Sequence, residues 1–253
     1  MLNESAQWFP AQGKARGVVV VTHGLNLHPE RMDEMAAKFA KAGFGALRAA
    51  FTGHSGDGDR HLQIRAHDWQ EDASRIHSLA QGKAKKLGVP LYLVAYSFSA
   101  LVFQVLSAEL PFAKRVYFAP ALATRAWYPI GIKLARLIPD LQFRSWIPDG
   151  YAANEVSGLR CVLALDDFFH RWKQGEGRED IAPALIWGDP QDELVNMPAV
   201  KKLSEEKRNW SFRELSANGC ERRRKYHHLV IDSASIGKSE WERVMGETLR
   251  FLG

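Results

Sequence analysis

The sequence predicts an α/β fold, in which a mostly parallel sheet has helices on both faces. Segments typical of strands alternate with segments typical of helices along most of the 253 residues. The run Gly17–Thr22 contains four consecutive valines, as expected of a strand that is buried on both faces. Polar residues follow several predicted strands, and the functional groups of such sheets lie at the carboxyl ends of the strands.

The alternation is most regular in the first half of the chain. Apolar residues at helical spacing predict a first helix that Gly43 ends, because glycine is favoured just after a helix. Pro90 precedes a short apolar strand, and Pro111 stops the apolar helix that follows this strand. The predicted elements are strands over 17–22, 44–51, 91–95 and 115–119 and helices over 31–42, 69–87 and 98–110.

The alternation is interrupted between Ala121 and Asp180. This stretch holds eight aromatic residues and three prolines and has no clean strand–helix pattern. We interpret residues 121–180 as an irregular, partly helical insertion, and residues 1–120 and 181–253 as the α/β core. Strands over 184–187 and 210–215 and a helix over 239–251 complete the predicted core.

Composition limits the class of protein. Hydrophobic residues make up 46% of the chain and charged residues 25%, which excludes disorder, collagen and coiled coil for its bulk. The net charge of +5 is small, so we expect no nucleic-acid partner and interpret the basic run 221–225 as a solvated loop. Cys161 and Cys220 are too few for a disulfide framework and fit a reducing compartment, although one bridge stays open.

The sequence also lacks the features of a membrane-targeted chain. Residues 1–16 have no apolar stretch behind a basic start, as a signal peptide would. The apolar run 18–21 is far shorter than the roughly 20 residues needed to span a bilayer. We therefore expect a cytoplasmic protein, and its oligomeric state stays open.

A serine follows the third long predicted strand, at the start of a helix. In Ala95-Tyr96-Ser97-Phe98-Ser99, small residues lie two positions before and two positions after Ser97. A nucleophilic serine in a tight strand-to-helix turn needs this spacing, because the flanking residues face each other across the turn. Ser99 is the weaker candidate, since Leu101 would occupy one of the positions that must be small. A serine that merely caps the helix is the alternative.

The first long strand ends in Thr22-His23-Gly24-Leu25. Glycine lets the backbone turn so that the N–H of Leu25 points at a reacting carbonyl. The N–H of Phe98, just after the candidate nucleophile, would be the second donor of such an oxyanion hole. We expect His23 to brace this loop by hydrogen bonding and not to transfer protons.

An acid and a histidine follow two later strands. Asp192 is preferred as the acid that orients a histidine, and Asp189 is the alternative. His227 is preferred as the base because Leu229, two residues on, can anchor the loop, and His228 is the alternative. The chain order is therefore Ser…Asp…His. An ordinary turn aspartate and two surface histidines are the structural alternatives.

Together, these segments resemble the α/β-hydrolase family. The likeness is greatest to its serine esterase, monoacylglycerol lipase and lysophospholipase-like branch, which carries an inserted cap. It covers residues 17–120 and 182–253. The segments that carry it are Thr22-His23-Gly24-Leu25, Phe51-Thr52-Gly53-His54-Ser55, Leu91-Tyr92-Leu93-Val94-Ala95-Tyr96-Ser97-Phe98-Ser99, Trp187-Gly188 through Asp192, and His227-His228-Leu229. The chain departs from the family pattern at Ala95 and Ser99, which replace the usual glycines, and at Ser55, which ends the Gly-His-Gly turn.

The resemblance implies hydrolysis of small carboxylic esters through an acyl-enzyme. No cofactor is implied, and the early histidines are too scattered along the chain for a zinc site. The insertion would cover the site as a cap, and its aromatic residues would form an apolar acyl or aryl pocket. The implied roles are Ser97 as nucleophile, His227 as base, Asp192 as its partner, and Leu25 and Phe98 as oxyanion donors; the scattered histidines are His23, His54, His61 and His67.

Several alternatives stay open. The altered elbow is compatible with a non-catalytic protein of this fold that binds a ligand or a partner. A thioester or a peptide bond could replace the ester. The segment 127–146 mixes basic and apolar residues, so it could lie on a lipid surface, but a cap helix that faces the core explains the same pattern and is preferred.

Overall fold

The described part of the chain forms a sheet of seven strands. The computed structural model describes residues 6–56, 58–216 and 225–253. The strands are β1 (Ala6–Phe9), β2 (Gly17–Thr22), β3 (Phe44–Ala49), β4 (Leu91–Tyr96), β5 (Lys114–Phe118), β8 (Ala184–Gly188) and β9 (Trp210–Glu214). Their order across the sheet is β1-β3-β2-β4-β5-β8-β9. Only β1 runs antiparallel to its neighbour in this sheet.

Helices connect the parallel strands. In β2, β3 and β4 every residue is buried, so both faces of the sheet are covered, as the run of four valines predicts. The predicted α/β class with a mostly parallel sheet is confirmed. The helices are α1 (Asp33–Lys41), preceded by a 3-10 turn over Pro29–Met32, α2 (Gly58–Leu62), α3 (Ala66–Leu87), α4 (Phe98–Val105), α7 (Met197–Glu205), α8 (Ser233–Ile236) and α9 (Lys238–Leu252).

The segment between β5 and β8 contains its own elements. They are helix α5 (Tyr128–Leu137), an antiparallel pair β6 (Gln142–Arg144) and β7 (Val156–Gly158), and helix α6 (Leu159–Lys173). α6 packs against α4 and buries an apolar face that includes Phe168, Phe169 and Trp172. We call residues 121–180 the cap segment.

Helix α5 faces the core with one side only. Tyr128, Ile132 and Ala135 face inward, against α6. Ile130 is 73% exposed and Leu137 79% exposed, so only one side of the apolar helix reaches the core.

Several element boundaries differ from the sequence-based ones. The edge strand β1 was not predicted, because its side chains are half exposed and show no apolar run. The helix expected over 98–110 ends at Val105, and turns follow. Cys161 is a buried free thiol, whereas Cys220 and residues 221–224 of the basic run lie outside the described residues. In the part of the chain that the structure describes, no helix is both long and apolar enough to cross a bilayer.

Candidate active site

Ser97 occupies a strained turn between β4 and α4. Its backbone is left-handed, with φ 57° and ψ −116°, a conformation that a residue with a Cβ adopts only when its surroundings enforce it. The surroundings here are two hydrogen bonds to neighbouring backbone. The N–H of Ser97 donates to the carbonyl of Phe118 at 2.9 Å, and the N–H of Ala121 donates to the carbonyl of Ser97 at 3.1 Å. The hydroxyl therefore projects at the carboxyl end of the sheet, as a nucleophile elbow requires.

Ala95 and Ser99, which replace the usual glycines, fit within this turn. Ala95 and Ser99 are both fully buried. The hydroxyl of Ser99 donates to the carbonyl of Tyr96 and accepts from the hydroxyl of Thr22, each at 3.0 Å. Because both roles of the Ser99 hydroxyl are satisfied, burying it leaves no unpaired polar group.

The histidine that reaches Ser97 is His228. Its Nε2 lies 2.9 Å from the Ser97 hydroxyl, and its Nδ1 lies 2.7 Å from a carboxylate oxygen of Asp192. The Asp192 carboxylate accepts, so Nδ1 carries the proton and Nε2 is free to accept from the serine. The preference for His227 is therefore corrected: its ring faces Asp189, at 2.8 Å, and not Ser97.

The loop after β8 holds the two aspartates in similar ways. One carboxylate oxygen of Asp192 accepts the backbone N–H groups of Leu194 and Val195, each at 2.8 Å, which leaves the other oxygen for His228. One oxygen of Asp189 accepts the N–H of Gln191 at 2.9 Å, and its other oxygen contacts His227. Among the described residues, the loop therefore forms two neighbouring His–Asp pairs, of which the pair His228–Asp192 contacts the serine.

The backbone of His228 is anchored on both sides. Its N–H donates to the carboxylate of Glu193, and its carbonyl accepts from the hydroxyl of Tyr96, each at 3.0 Å. Burial alone would lower the pKa of the His228 ring, but the charge and hydrogen bond of Asp192, together with Glu193, outweigh it and raise this pKa above its ordinary value. Neither Glu193 nor Tyr96 was singled out in the sequence, because no motif marks a residue that binds a histidine through its backbone.

The loop after β2 lies beside the serine. His23 donates from Nδ1 to the carbonyl of Gly24 at 2.8 Å and accepts the N–H of Phe51 at Nε2, 3.0 Å away. Burial lowers the pKa of His23 to about 4, so the ring is neutral and acts as the expected brace. A Cβ on Gly24 would lie 2.4 Å from the Tyr96 ring and 3.5 Å from Ser97 Cβ. Only glycine permits this close approach.

The two candidate oxyanion donors, Leu25 and Phe98, both line the cavity that contains Ser97. Among the residues that the structure describes, neither backbone N–H has a hydrogen-bond acceptor. The histidines of the first part of the chain have separate environments and do not form a metal site with Ser97 and His228. His54 is stacked on Phe98 with ring centroids 5.4 Å apart, His61 contacts Ser157, and His67 is exposed on α3. Within the described ranges, no three His, Cys, Asp or Glu side chains are grouped so as to hold a metal ion.

A largely apolar cavity of about 610 Å³ extends from Ser97 and His228 toward the cap segment. This volume is typical of small-molecule sites. Trp127, Phe143 and Trp146 line it, whereas Phe168 and Trp172 are buried in packing, so only some of the aromatic residues of the cap segment face the cavity. Lys225, the described residue of the basic run, is exposed and also lines the cavity.

Comparison with known proteins places this geometry in a family. The Hydrolase_4 family model, described as serine aminopeptidase, S33, matches residues 13–163. No curated protein sequence matches the chain significantly.

Solved structures share the fold over almost the whole chain. A structure from a study of the metagenome-derived lipolytic enzymes LipS and LipT has a TM-score of 0.77 at 19% identity, covering 98% of this chain and 97% of that chain. A soluble variant of monoglyceride lipase from Saccharomyces cerevisiae has a TM-score of 0.77 at 12% identity, covering 98% and 90%. Monoacylglycerol lipase from Paleococcus ferrophilus has a TM-score of 0.68 at 17% identity, covering 98% and 97%. The predicted resemblance is confirmed: the chain belongs to the Hydrolase_4 family and is a hydrolase with the α/β-hydrolase fold.

Proposed function

We propose that this hydrolase cleaves carboxylic esters with an apolar acyl or aryl group, using Ser97, His228 and Asp192. The observation that carries the proposal is the continuous hydrogen-bonded chain from the Ser97 hydroxyl through His228 to Asp192. Ser97 and His228, at one end of this chain, line the apolar cavity. A serine is a weak nucleophile alone, and an adjacent, oriented imidazole activates it.

The steps follow from this arrangement. The Ser97 oxygen attacks the ester carbonyl while its proton moves to Nε2 of His228, and Asp192 stabilises the imidazolium that forms. The N–H groups of Leu25 and Phe98 stabilise the oxyanion. The carbon–oxygen bond to the leaving alcohol then breaks as His228 returns the proton to that oxygen. Water, activated by His228, attacks the acyl-enzyme and releases the acid and free Ser97.

The substrate class follows from the walls of the cavity. Apolar and aromatic side chains dominate the lining, and the cavity offers few polar groups to a long polar substrate. The lipolytic enzymes among the solved structures of this fold agree with an apolar ester. The family description names an aminopeptidase, so an amide bond is the second candidate.

The test uses a fluorophosphonate probe with intact-mass detection on the wild-type protein, Ser97→Ala and Ser99→Ala. Ser99 is the matched control, because it lies two residues away and its hydroxyl is fully buried. We expect one probe on the wild type and on Ser99→Ala, and none on Ser97→Ala. Failure of the folded wild type to react, while a known esterase does, would favour a non-catalytic ligand-binding protein.

Paired substrates then identify the bond. We expect p-nitrophenyl esters to be hydrolysed with a kcat/KM that increases with acyl length until the cavity is filled. The p-nitroanilide of the best acyl group should react far more slowly. A preference for the amide, or for a free amino terminus, would transfer the proposal to peptide substrates.

A further inference from the structure

Asn26 directly follows Leu25 and has an unusual backbone. Its φ is 52°, in the left-handed region, and it is almost fully buried. This conformation is unfavourable for residues with a Cβ, and asparagine tolerates it best when its side chain forms local hydrogen bonds. The Leu25–Asn26 stretch therefore keeps its shape only while the Asn26 side chain is held.

The cap segment holds this side chain through Asn154. The Asn26 side-chain oxygen accepts both the backbone N–H and the side-chain amide of Asn154, each at 3.0 Å. The Asn26 amide donates to the Asn154 carbonyl at 2.9 Å and to the hydroxyl of Ser145 at 3.0 Å. The carbonyl of Asn26 accepts the N–H of Ala153 at 2.9 Å. The hydrogen-bonding groups of the Asn26 side chain are thus paired with the cap segment.

The same stretch of the cap segment reaches two other loops around the site. The Asn154 amide also donates to the carbonyl of Gly53, at 2.9 Å, in the turn after β3. The carbonyl of Tyr151 accepts the N–H of His28 at 2.8 Å. The hydroxyl of Tyr151 donates to Asp232, at 2.8 Å, four residues after His228. Residues 151–154 therefore join the loop after β2 to the loop that carries the histidine.

We infer that Asn154 is a positioning residue for the oxyanion hole: it fixes the left-handed backbone of Asn26 and thereby the direction of the Leu25 N–H. This inference rests on the proposed function, since it assigns the Leu25 N–H to the oxyanion. Replacing the Asn154 side chain removes its hydrogen bonds to the Asn26 side-chain oxygen and to the Gly53 carbonyl, and, among the described residues, leaves Asn26 held only by the backbone of residues 153–154 and by Ser145. Asn26, and Leu25 beside it, can then move more freely. Because the oxyanion exists only in the transition state and the intermediate, the loss falls on kcat and not on KM.

The test compares Asn154→Ala and Asn154→Leu with Asn209→Ala. Asn154→Leu keeps the branched shape of the side chain and removes the donors to Asn26 and Gly53 without adding a charge, so it keeps the test valid if the cavity left by alanine prevents folding. Asn209 is a matched control, because its amide donates to the carbonyl of Ile181, far from Ser97 in the sheet order, and it is exposed. For both Asn154 variants we expect kcat to fall about 10- to 100-fold with KM within about twofold, less than the complete loss of an oxyanion donor.

Two further readouts separate positioning from general destabilisation. Hydrogen exchange of the amides in residues 24–28 should become faster in the Asn154 variants and stay unchanged in Asn209→Ala. A trifluoromethyl ketone, whose adduct with serine carries an oxyanion, should bind more weakly by about the same factor as kcat falls. Exchange and kcat that match those of Asn209→Ala would overturn the inference. Wild-type protein without esterase activity, combined with faster exchange in the variants, would overturn the proposed function and leave Asn154 as the residue that holds the loop.

Discussion

The adjacent pair His227 and His228 offers the sharpest test of the site. Both rings contact a buried aspartate, but only His228 also reaches Ser97, at 2.9 Å. Replacing each histidine by alanine should therefore affect kcat very differently, although both changes remove the partner of a buried aspartate. His228→Ala removes the group that accepts the serine proton, whereas His227→Ala removes one partner of the Asp189 carboxylate.

The expected magnitudes differ widely. Loss of a general base costs up to about 10⁴-fold in kcat, which is about 5.4 kcal/mol at 1.36 kcal/mol per factor of ten. The side chain of Asp189 is 3% exposed, so removing its contact with His227 should cost about 1–3 kcal/mol of unfolding free energy. For a domain of this size that lowers Tm by about 3–9 °C, while kcat stays within a few-fold.

The assay measures kcat with a p-nitrophenyl ester and Tm by thermal unfolding for both variants and the wild type. We expect His228→Ala to be almost inactive and His227→Ala to stay active, and we expect Tm to be lower in both, because each variant removes the histidine partner of a buried aspartate. Equal losses of kcat in the two variants would refute the assignment of one ring to catalysis and the other to packing.

Three further predictions concern charge, the altered elbow and acid stability. Glu193→Gln keeps an acceptor for the backbone of His228 but removes a charge that raises its pKa, so the acid limb of the kcat/KM profile should move to lower pH. Ser99→Ala leaves the buried hydroxyl of Thr22 without its partner and should lower the unfolding free energy by about 1–2 kcal/mol, measured in urea, with kcat unchanged. Burial lowers the pKa of His23 to about 4, so the unfolded chain binds a proton that the folded chain does not between about pH 6.5 and 4. Stability should therefore fall as the pH is lowered, and His23 alone contributes about 2–3 kcal/mol of this loss at pH 4.5.

Each of these has a simple contradicting outcome. The control for Glu193→Gln is Glu206→Gln, which replaces an exposed carboxylate at the end of α7. Identical pH profiles of kcat/KM for the two variants would exclude an effect of the Glu193 charge on His228. If Ser99→Ala unfolds at the same urea concentration as the wild type, the Thr22 hydroxyl must have another hydrogen-bond partner. Equal unfolding free energies at pH 7 and pH 4.5 would mean that His23 is protonated in the folded protein.

The parallel core could be predicted because its signals are local. A strand that is buried on both faces must be apolar along its length, and the helices that connect such strands must be apolar on one side. β2 and α3 satisfy these rules, and both occur close to their predicted positions. β1 and the pair β6–β7 do not satisfy them, since short and partly exposed strands obtain their stability from their neighbours and not from their own sequence.

The same distinction between local and long-range signals applies to the residues of the candidate site. Ser97 was identifiable because the turn itself dictates the size of the residues on either side. The choice between His227 and His228 had no comparable local rule, since adjacent residues in a loop point in different directions and the path of the loop decides which one faces the serine. That path depends on Tyr96 and Glu193, which bind the His228 backbone from positions 132 and 35 residues away. Asn154 lies 128 residues from Asn26, and its contribution to the oxyanion loop depends on how the cap segment is placed on the core. The residue types of the candidate site were therefore readable in the sequence, whereas the residues that orient them could be found only in the folded chain.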